Sequence, residues 1–298
     1  MAHDEPSDGG KNKKNFLQRS FNSVATGMRR TSMALRAGSV EKALIYASGQ
    51  GLDTSAAFLL ASGTNPRCQA SAPMRAASAA GHLGVMQLLL RHGASGADDN
   101  SAALHGAIVA GQREAVRLLL ANGADVAAQE QKAIRIAAGL NNMRMMEDLI
   151  RAKADVNARD GEPLRIAASK GHEHIVRLLA ASGANVALDD HAALYWACRN
   201  GHRGAVEALV SAGSDIHARN GLMVDVAAAF GHTRVLEFLL QKGAEIPDDG
   251  GLALKWARQN GETETIAMLE KHMAARKPAS PMLPPPANRT NHTPPPGP

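Results

Sequence analysis

The chain has 298 residues, 45% of them hydrophobic but only 3% aromatic, and a formal net charge of +5. No stretch approaches the roughly eighteen consecutive apolar residues of a membrane-spanning helix. Its two cysteines, Cys68 and Cys198, support neither a disulfide framework nor a cysteine-built metal site, and so little cysteine suits a reducing compartment.

Residues 1–37 carry seven basic and three acidic side chains, and residues 271–298 carry four basic and none acidic, which leaves the middle of the chain at −3. The basic balance therefore belongs to the two ends, and a nucleic-acid argument from the overall charge would be misplaced. The opening MAHDEPSDGGKNKKN lacks the apolar stretch and cleavage motif of a classical secretory signal. Leu17, Phe21, Val24 and Met28 follow at spacings of four, three and four among Lys13, Lys14, Arg19, Arg29 and Arg30, the pattern of a basic amphipathic helix interrupted by Gly27. Three readings of this leader stay open: a cap on the segment that follows, a leader for a bacterial secretion system, and a helix for a membrane surface or a partner.

From about residue 38 to 276 the sequence repeats. Gly51, Gly81, Gly111, Gly171, Gly201, Gly231 and Gly261 fall on a grid of 30 residues, with Asn141 in the vacant place. A second grid of the same step runs through Gly63, Gly93, Gly123, Gly183, Gly213 and Gly243. A period of this length is that of a solenoid. Within one unit, Ile175, Val176, Leu178 and Leu179 have the spacing of a helix with one buried face, and Leu164, Ile166, Ala167 and Ala168 mark a shorter helix before it. Gly171 and Gly183 then stand where each helix should stop in the left-handed conformation, so a unit is a helical hairpin that must bury its face against its neighbours.

The unit EPLRIAASKGHEHIVRLLAASGANV resembles an ankyrin repeat in its Pro-Leu start, paired alanines, Gly-His, Val-x-x-Leu-Leu and closing Gly-Ala-Asn-Val. Related units cover roughly residues 39–272. The resemblance implies an all-α, ankyrin-type helical solenoid of about eight helix-turn-helix repeats. The family's repeat is about 33 residues long. The three missing residues come out of the loop between units, so short turns are expected where the family builds a β-hairpin finger. The family's Thr-Pro-Leu-His histidine survives only as His105; its other places hold Arg75, Arg135, Arg165, Tyr195, Asp225 and Lys255. Unit four is irregular, with Asn141 and Lys153 in place of both glycines, and reads either as drift or as a weak point or bend. Residues 277–298 are proline-rich without apolar period and read as a disordered tail, with docking to a proline-recognising domain as its functional alternative.

His82, His172, His202 and His232 recur at one repeat position, which predicts a structural role at the start of the second helix. No unit adds a nucleophile or acid beside them, so neither catalysis nor a cofactor is expected. Asp98, Asp99, Asp189, Asp190, Asp248 and Asp249 read as turn and helix-start residues rather than metal ligands. Trp196 and Trp256 take the place held elsewhere by Ile136 and Ile166 and are expected in the core. The resemblance implies a non-catalytic scaffold binding another protein on its concave side, monomeric and cytoplasmic, or secreted into a host cell as a bacterial effector. The positions it points to are Lys170, Arg199, Asn200, Phe230 and Asn260 just before the first-grid glycine, with Arg159, Asp160, Asp189, Asp190, His191, Arg219 and Asn220 in the loops. The alternative is binding of an anionic surface, nucleic acid or membrane, through the basic tails.

Overall fold

The computed structural model describes residues 39–247 and 250–276. The N-terminal leader, the proline-rich tail and the pair Asp248 and Asp249 lie outside the described residues. Within them the chain forms sixteen helices and no strand, arranged as eight consecutive pairs. The pairs are α1 (Val40–Gly49) with α2 (Asp53–Ala61), α3 (Cys68–Ala80) with α4 (Leu83–Arg91), α5 (Asp98–Val109) with α6 (Arg113–Ala121), and α7 (Ala128–Gly139) with α8 (Met143–Arg151). They continue as α9 (Ala158–Ser169) with α10 (Glu173–Ala181), α11 (Leu188–Arg199) with α12 (Arg203–Ser211), α13 (Ala218–Ala229) with α14 (Thr233–Gln241), and α15 (Gly251–Asn260) with α16 (Thr263–Arg276).

The apolar spacing explains each pair. In α10, Ile175, Val176 and Leu179 are fully buried, and in α9 so are Ala167 and Ala168, with Leu164 almost so. A side chain such as Leu179 contributes about 1.5–3 kcal/mol when removed from water, whereas a nine-residue helix is marginal alone. Each unit therefore lends its buried face to one continuous core running from Ala43 to Leu269. First helices pack against first helices and second against second; the first-helix row is the closer-packed, as its small residues Ala137, Ala167 and Ala197 permit. A stack tighter along one row bends toward it, which puts the first helices on the inner side.

The two glycine grids do different work. At the end of α11, Gly201 takes φ 72°, its amide donates to the Cys198 carbonyl at 3.2 Å, and the His202 amide donates to that of Ala197 at 3.0 Å. This pairing satisfies the open end of the helix. Gly213 closes α12 in the same way, with φ 94°. A Cβ on Gly213 would meet nothing, but one on Gly201 would stand 2.5 Å from Nδ1 of His232 in the next unit. The same side-chain approach occurs between Gly171 and His202 and between Gly51 and His82. Each of these histidines precedes its second helix and bonds through Nε2 to a carbonyl of the unit before: His82 to Gly49 at 3.2 Å, His172 to Gly139 at 3.3 Å, His202 to Ser169 at 3.0 Å and His232 to Arg199 at 2.9 Å. The first grid thus leaves room for the neighbouring unit, while the second only lets the chain turn.

The turns between units are short, and their conformation is uncommon. Arg159, Asp160 and Gly161 have φ of 48°, 55° and 78°, one turn of left-handed backbone, and the same triplet recurs at Asp189, Asp190 and His191 and at Arg219, Asn220 and Gly221. Left-handed backbone costs about 1–2 kcal/mol per non-glycine residue. Bonds to the next unit offset part of it. Ser101 accepts the Asp125 amide at 2.8 Å, Gln131 that of Asp155 at 3.1 Å, and His191 Nδ1 that of Asp215 at 3.3 Å.

Unit four keeps the fold without its glycines. Asn141 and Lys153 both hold positive φ, 54° and 65°, and the Lys153 and Ala154 amides still close the end of α8 on Ile150 and Leu149. Its other departure is Asp148, buried where the flanking units have Leu118 and Leu178 and clasped from unit three by Arg113 at 2.6 and 3.1 Å. The pairing favours the charged form of Arg113, raising its pKa. A charged clasp joins this unit to its neighbour, so the irregular repeat is not simply the loose one. Because nothing crowds the glycines of the second grid, Lys153→Gly is expected to stabilise the chain by about 1 kcal/mol. Thermal unfolding of the two proteins checks this, and an unchanged midpoint would show that Lys153 sits there without strain.

Candidate functional site

Units six and seven carry the most structured exposed surface. Arg199, the last residue of α11, has its guanidinium 5.2 Å from the centre of the Trp196 ring and 5.0 Å from that of Phe230. Each such contact contributes about 0.5–2 kcal/mol, depending on how dry it is. Phe230 is 45% exposed and stacks on His232, with ring centres 6.3 Å apart and planes 21° apart. His232 is itself held by the Arg199 carbonyl. Behind this group Tyr195 meets Trp196 edge-on at 5.6 Å and lies 5.1 Å from the guanidinium of Arg219. Arg219 is anchored in turn by donating to the carbonyls of Asp189 at 2.6 Å and Asp190 at 2.8 Å.

The residues singled out from the sequence divide into two sets. Lys170, Asn200, Phe230 and Asn260 form one row, and three of them are also inter-unit fasteners. Lys170 Nζ donates to the Gly139 carbonyl at 2.9 Å, Asn200 to that of Ser169 at 2.7 Å, and Asn260 to that of Ala229 at 2.6 Å. The second set occupies the left-handed turns: Arg159, Asp160, Asp189, Asp190 and Asn220 are exposed, Arg219 is half-buried, and His191 is turned inward on Ser214 and Asp215. A groove of about 520 Å³, lined by Arg165, Ile166, Ser169, Lys170, Asp189 and Trp196, brings the two sets together between units five and six. A wider cleft of about 740 Å³ beside it includes Arg159, Asp160 and Asp189. Its charges are largely mutually paired, Arg159 with Glu130 at 3.3 Å and Arg135 with Glu162 at 2.5 Å.

Two expectations change. Trp196 and Trp256 are half-buried and stand outside the buried core, whereas Ile136 and Ile166 at the same repeat position pack against it. The column itself is only half-buried, since Ile136 and Ile166 are half-buried too, and the Trp196 ring lies beside the Arg199 guanidinium. Arg165 and Tyr195 were not among the sequence-derived candidates, yet both reach the turn of the following unit. The Arg75–Asp99 pair at 2.7 Å, the Arg165–Asp189 pair at 3.4 Å and the Tyr195–Arg219 contact all span 24 residues. The signal for them was the position of the family's lost histidine. Val109 and Leu140, 61% and 44% exposed, occupy the places of Arg199 and Phe230 three units earlier and give that part of the row an apolar character.

Among the described residues, no three His, Cys, Asp or Glu side chains are placed to hold a metal ion. Asp98 and Asp99 pair with Arg67 and Arg75. Burial pushes the Cys198 thiol up, away from the thiolate needed for nucleophilic chemistry. No described helix is long and apolar enough to cross a membrane.

Residues 44–130 and 134–220 each match the sequence model for ankyrin repeats in three copies. The matched segments end at the start of α13, but the same helix pairing continues to α16. No curated protein matches the chain. Ankyrin repeats are generally protein–protein interaction modules and are typically non-enzymatic.

His105 shows what the loss of the family's histidine pattern leaves behind. It is 5% exposed, and neither ring nitrogen has a hydrogen-bond partner among the described residues. Burial, and then the nearby charge of Lys132, lower its pKa from the ordinary 6.5. The unfolded chain therefore takes up a proton at this residue before the folded one does. Stability from this group is full above pH 6.5 and is lost as pH falls from there toward the lower folded pKa. His105→Leu should remove that sensitivity, so its gain in unfolding midpoint over the parent should be larger at pH 5 than at pH 7.5. Equal gains at the two values would show that His105 is not titrating out of the fold.

Proposed function

The chain belongs to the ankyrin repeat family, and on that premise we propose that it is a non-catalytic scaffold that holds another protein on its first-helix face, in units five to seven. The observation that carries this reading is Arg199, held against both Trp196 and Phe230 with no task in the core. Arginine and large aromatic side chains dominate the energetics of protein interfaces, and here both are pre-ordered, which lowers the entropy lost on binding. Lys170, Asn200 and Asn260 line the same row, and the turn residues Arg159, Asp160, Asp189, Asp190, Arg219 and Asn220 form its rim. In this reading residues 38–276 are the binding array, and residues 1–37 and 277–298 are flanking segments. Work inside a cell, as a scaffold for its own complexes or as an effector meeting a host protein, suits such a module.

A second reading, capture of a nucleic acid or membrane by the basic ends, draws support from the +4 carried by each of residues 1–37 and 271–298 against −3 for the array between. The two readings separate in a capture experiment from cell lysate with the full chain, the Arg199→Ala/Phe230→Ala chain and a chain lacking residues 1–37. A protein held at moderate salt by the first and third but lost by the second is the expected result. Capture that ignores the double substitution but disappears with residues 1–37, with nuclease or with salt would move the function to the ends.

A further inference from the structure

The Arg199 guanidinium has two aromatic neighbours, but its N–H donors have no acceptor among the described residues. A guanidinium carries five N–H donors in one plane. The Arg199 ring contacts hold the group beside Trp196 and Phe230 and leave those donors available to a ligand. Other arginines of these units are paired with carboxylates: Arg165 with Asp189, Arg203 with Glu207 and Arg219 with Asp190. Lys170, which lines the groove beside Trp196, has its ammonium on the Gly139 carbonyl and no carboxylate partner among the described residues. Asp189, the acid in that groove, already faces Arg165 at 3.4 Å.

We propose that Arg199 is the carboxylate receptor of this face: its free N–H donors take the side chain of an aspartate or glutamate, through two parallel N–H···O bonds, from an acidic segment of the partner protein. This deepens the scaffold reading and rests on it. The fork of the guanidinium matches a carboxylate geometrically, and holding it against two rings removes the rotamer freedom that usually weakens an exposed ion pair. A protein segment with a few acids suits the site better than a polyanion. The receptor is a single cation in an array of net charge −3 whose turns expose Asp160, Asp189 and Asp190.

The test uses the full chain and a fluorescein-labelled, end-capped pentaglutamate peptide at low ionic strength, read by fluorescence anisotropy, with capped pentaglutamine as the neutral isostere. The expected result is saturable binding of pentaglutamate alone. Arg199→Gln should weaken it about tenfold or more, the worth of a charge-assisted hydrogen bond. Arg199→Lys, which keeps the charge but not the fork, should weaken it severalfold. In a Trp256→Phe background the emission of Trp196 should change in step with binding. Circular dichroism checks that each variant keeps its helices, and the Lys variant decides the matter if the Gln variant does not fold. Absence of saturable binding, equal binding of pentaglutamine, or affinity indifferent to both substitutions overturns the proposal, the last by placing the peptide on the basic ends. If the peptide test fails while the Arg199→Ala/Phe230→Ala chain still loses its captured protein, the scaffold reading stands and only the carboxylate assignment falls.

Discussion

The joints between units five, six and seven depend on an imidazole lying on a glycine. His202 rests on Gly171 and His232 on Gly201, each bonded to a carbonyl near the end of the preceding unit's first helix. Helices of nine to twelve residues have little stability of their own, so a stack of them exists through its nearest-neighbour interfaces. Apolar burial supplies most of the free energy but is non-directional. The histidine bond fixes how far one unit can slide or rotate against the next. By that registration the last residues of successive first helices form a row, which is why residues 31 apart, such as Arg199 and Phe230 or Ser169 and Asn200, meet.

The missing three residues per unit shape the other border of that row. With no length for a finger, the chain reverses through a turn of left-handed backbone, and its third residue comes close to the start of the following unit. Ser101, Gln131 and His191 use that proximity to accept a backbone amide 24 residues on. Where Gly161 stands there is no side chain to do this, and Asn157 takes over, accepting the Asn185 amide at 2.8 Å and donating to the Gly183 carbonyl at 3.2 Å. The function of a turn position therefore varies with its residue. His191 belongs to the fastening between units, while Asp189 and Asp190 in the same turn face water.

These contacts mark the limit of what the sequence could reveal. The glycine period, the paired helices and their buried faces were legible because each is a regularity along the chain, and Arg199 and Phe230 were found because the family resemblance pointed to their position. Trp196 was expected in the core because isoleucines share its column, and no one-dimensional pattern states that this column, Ile166 included, is only half-buried. The two glycine grids looked alike for a similar reason. Both demand positive φ, and only the position of the next unit shows that Gly201 must also lack a Cβ while Gly213 need not. Asp148 escaped notice because its partner Arg113 lies 35 residues away, across a unit boundary.

The candidate site and the fastener between units six and seven share the same three residues. Arg199 gives its carbonyl to His232, His232 carries the ring of Phe230, and Phe230 covers the guanidinium of Arg199. The His232 bond goes to the Arg199 backbone and the ring contact to its side chain, so a shift in register between the two units would alter the surroundings of the guanidinium. In a chain with only nine aromatic residues, five Phe, two Trp and two Tyr, the core is mostly aliphatic, with Phe238 as its one such ring among the described residues, and three of the nine gather here instead. Small residues let the first helices close up, and the tight row leaves bulky rings no place but its surface. In units six and seven the rings of Trp196 and Phe230 thus lie on that row's surface, where the arginine and histidine of the fastener meet them.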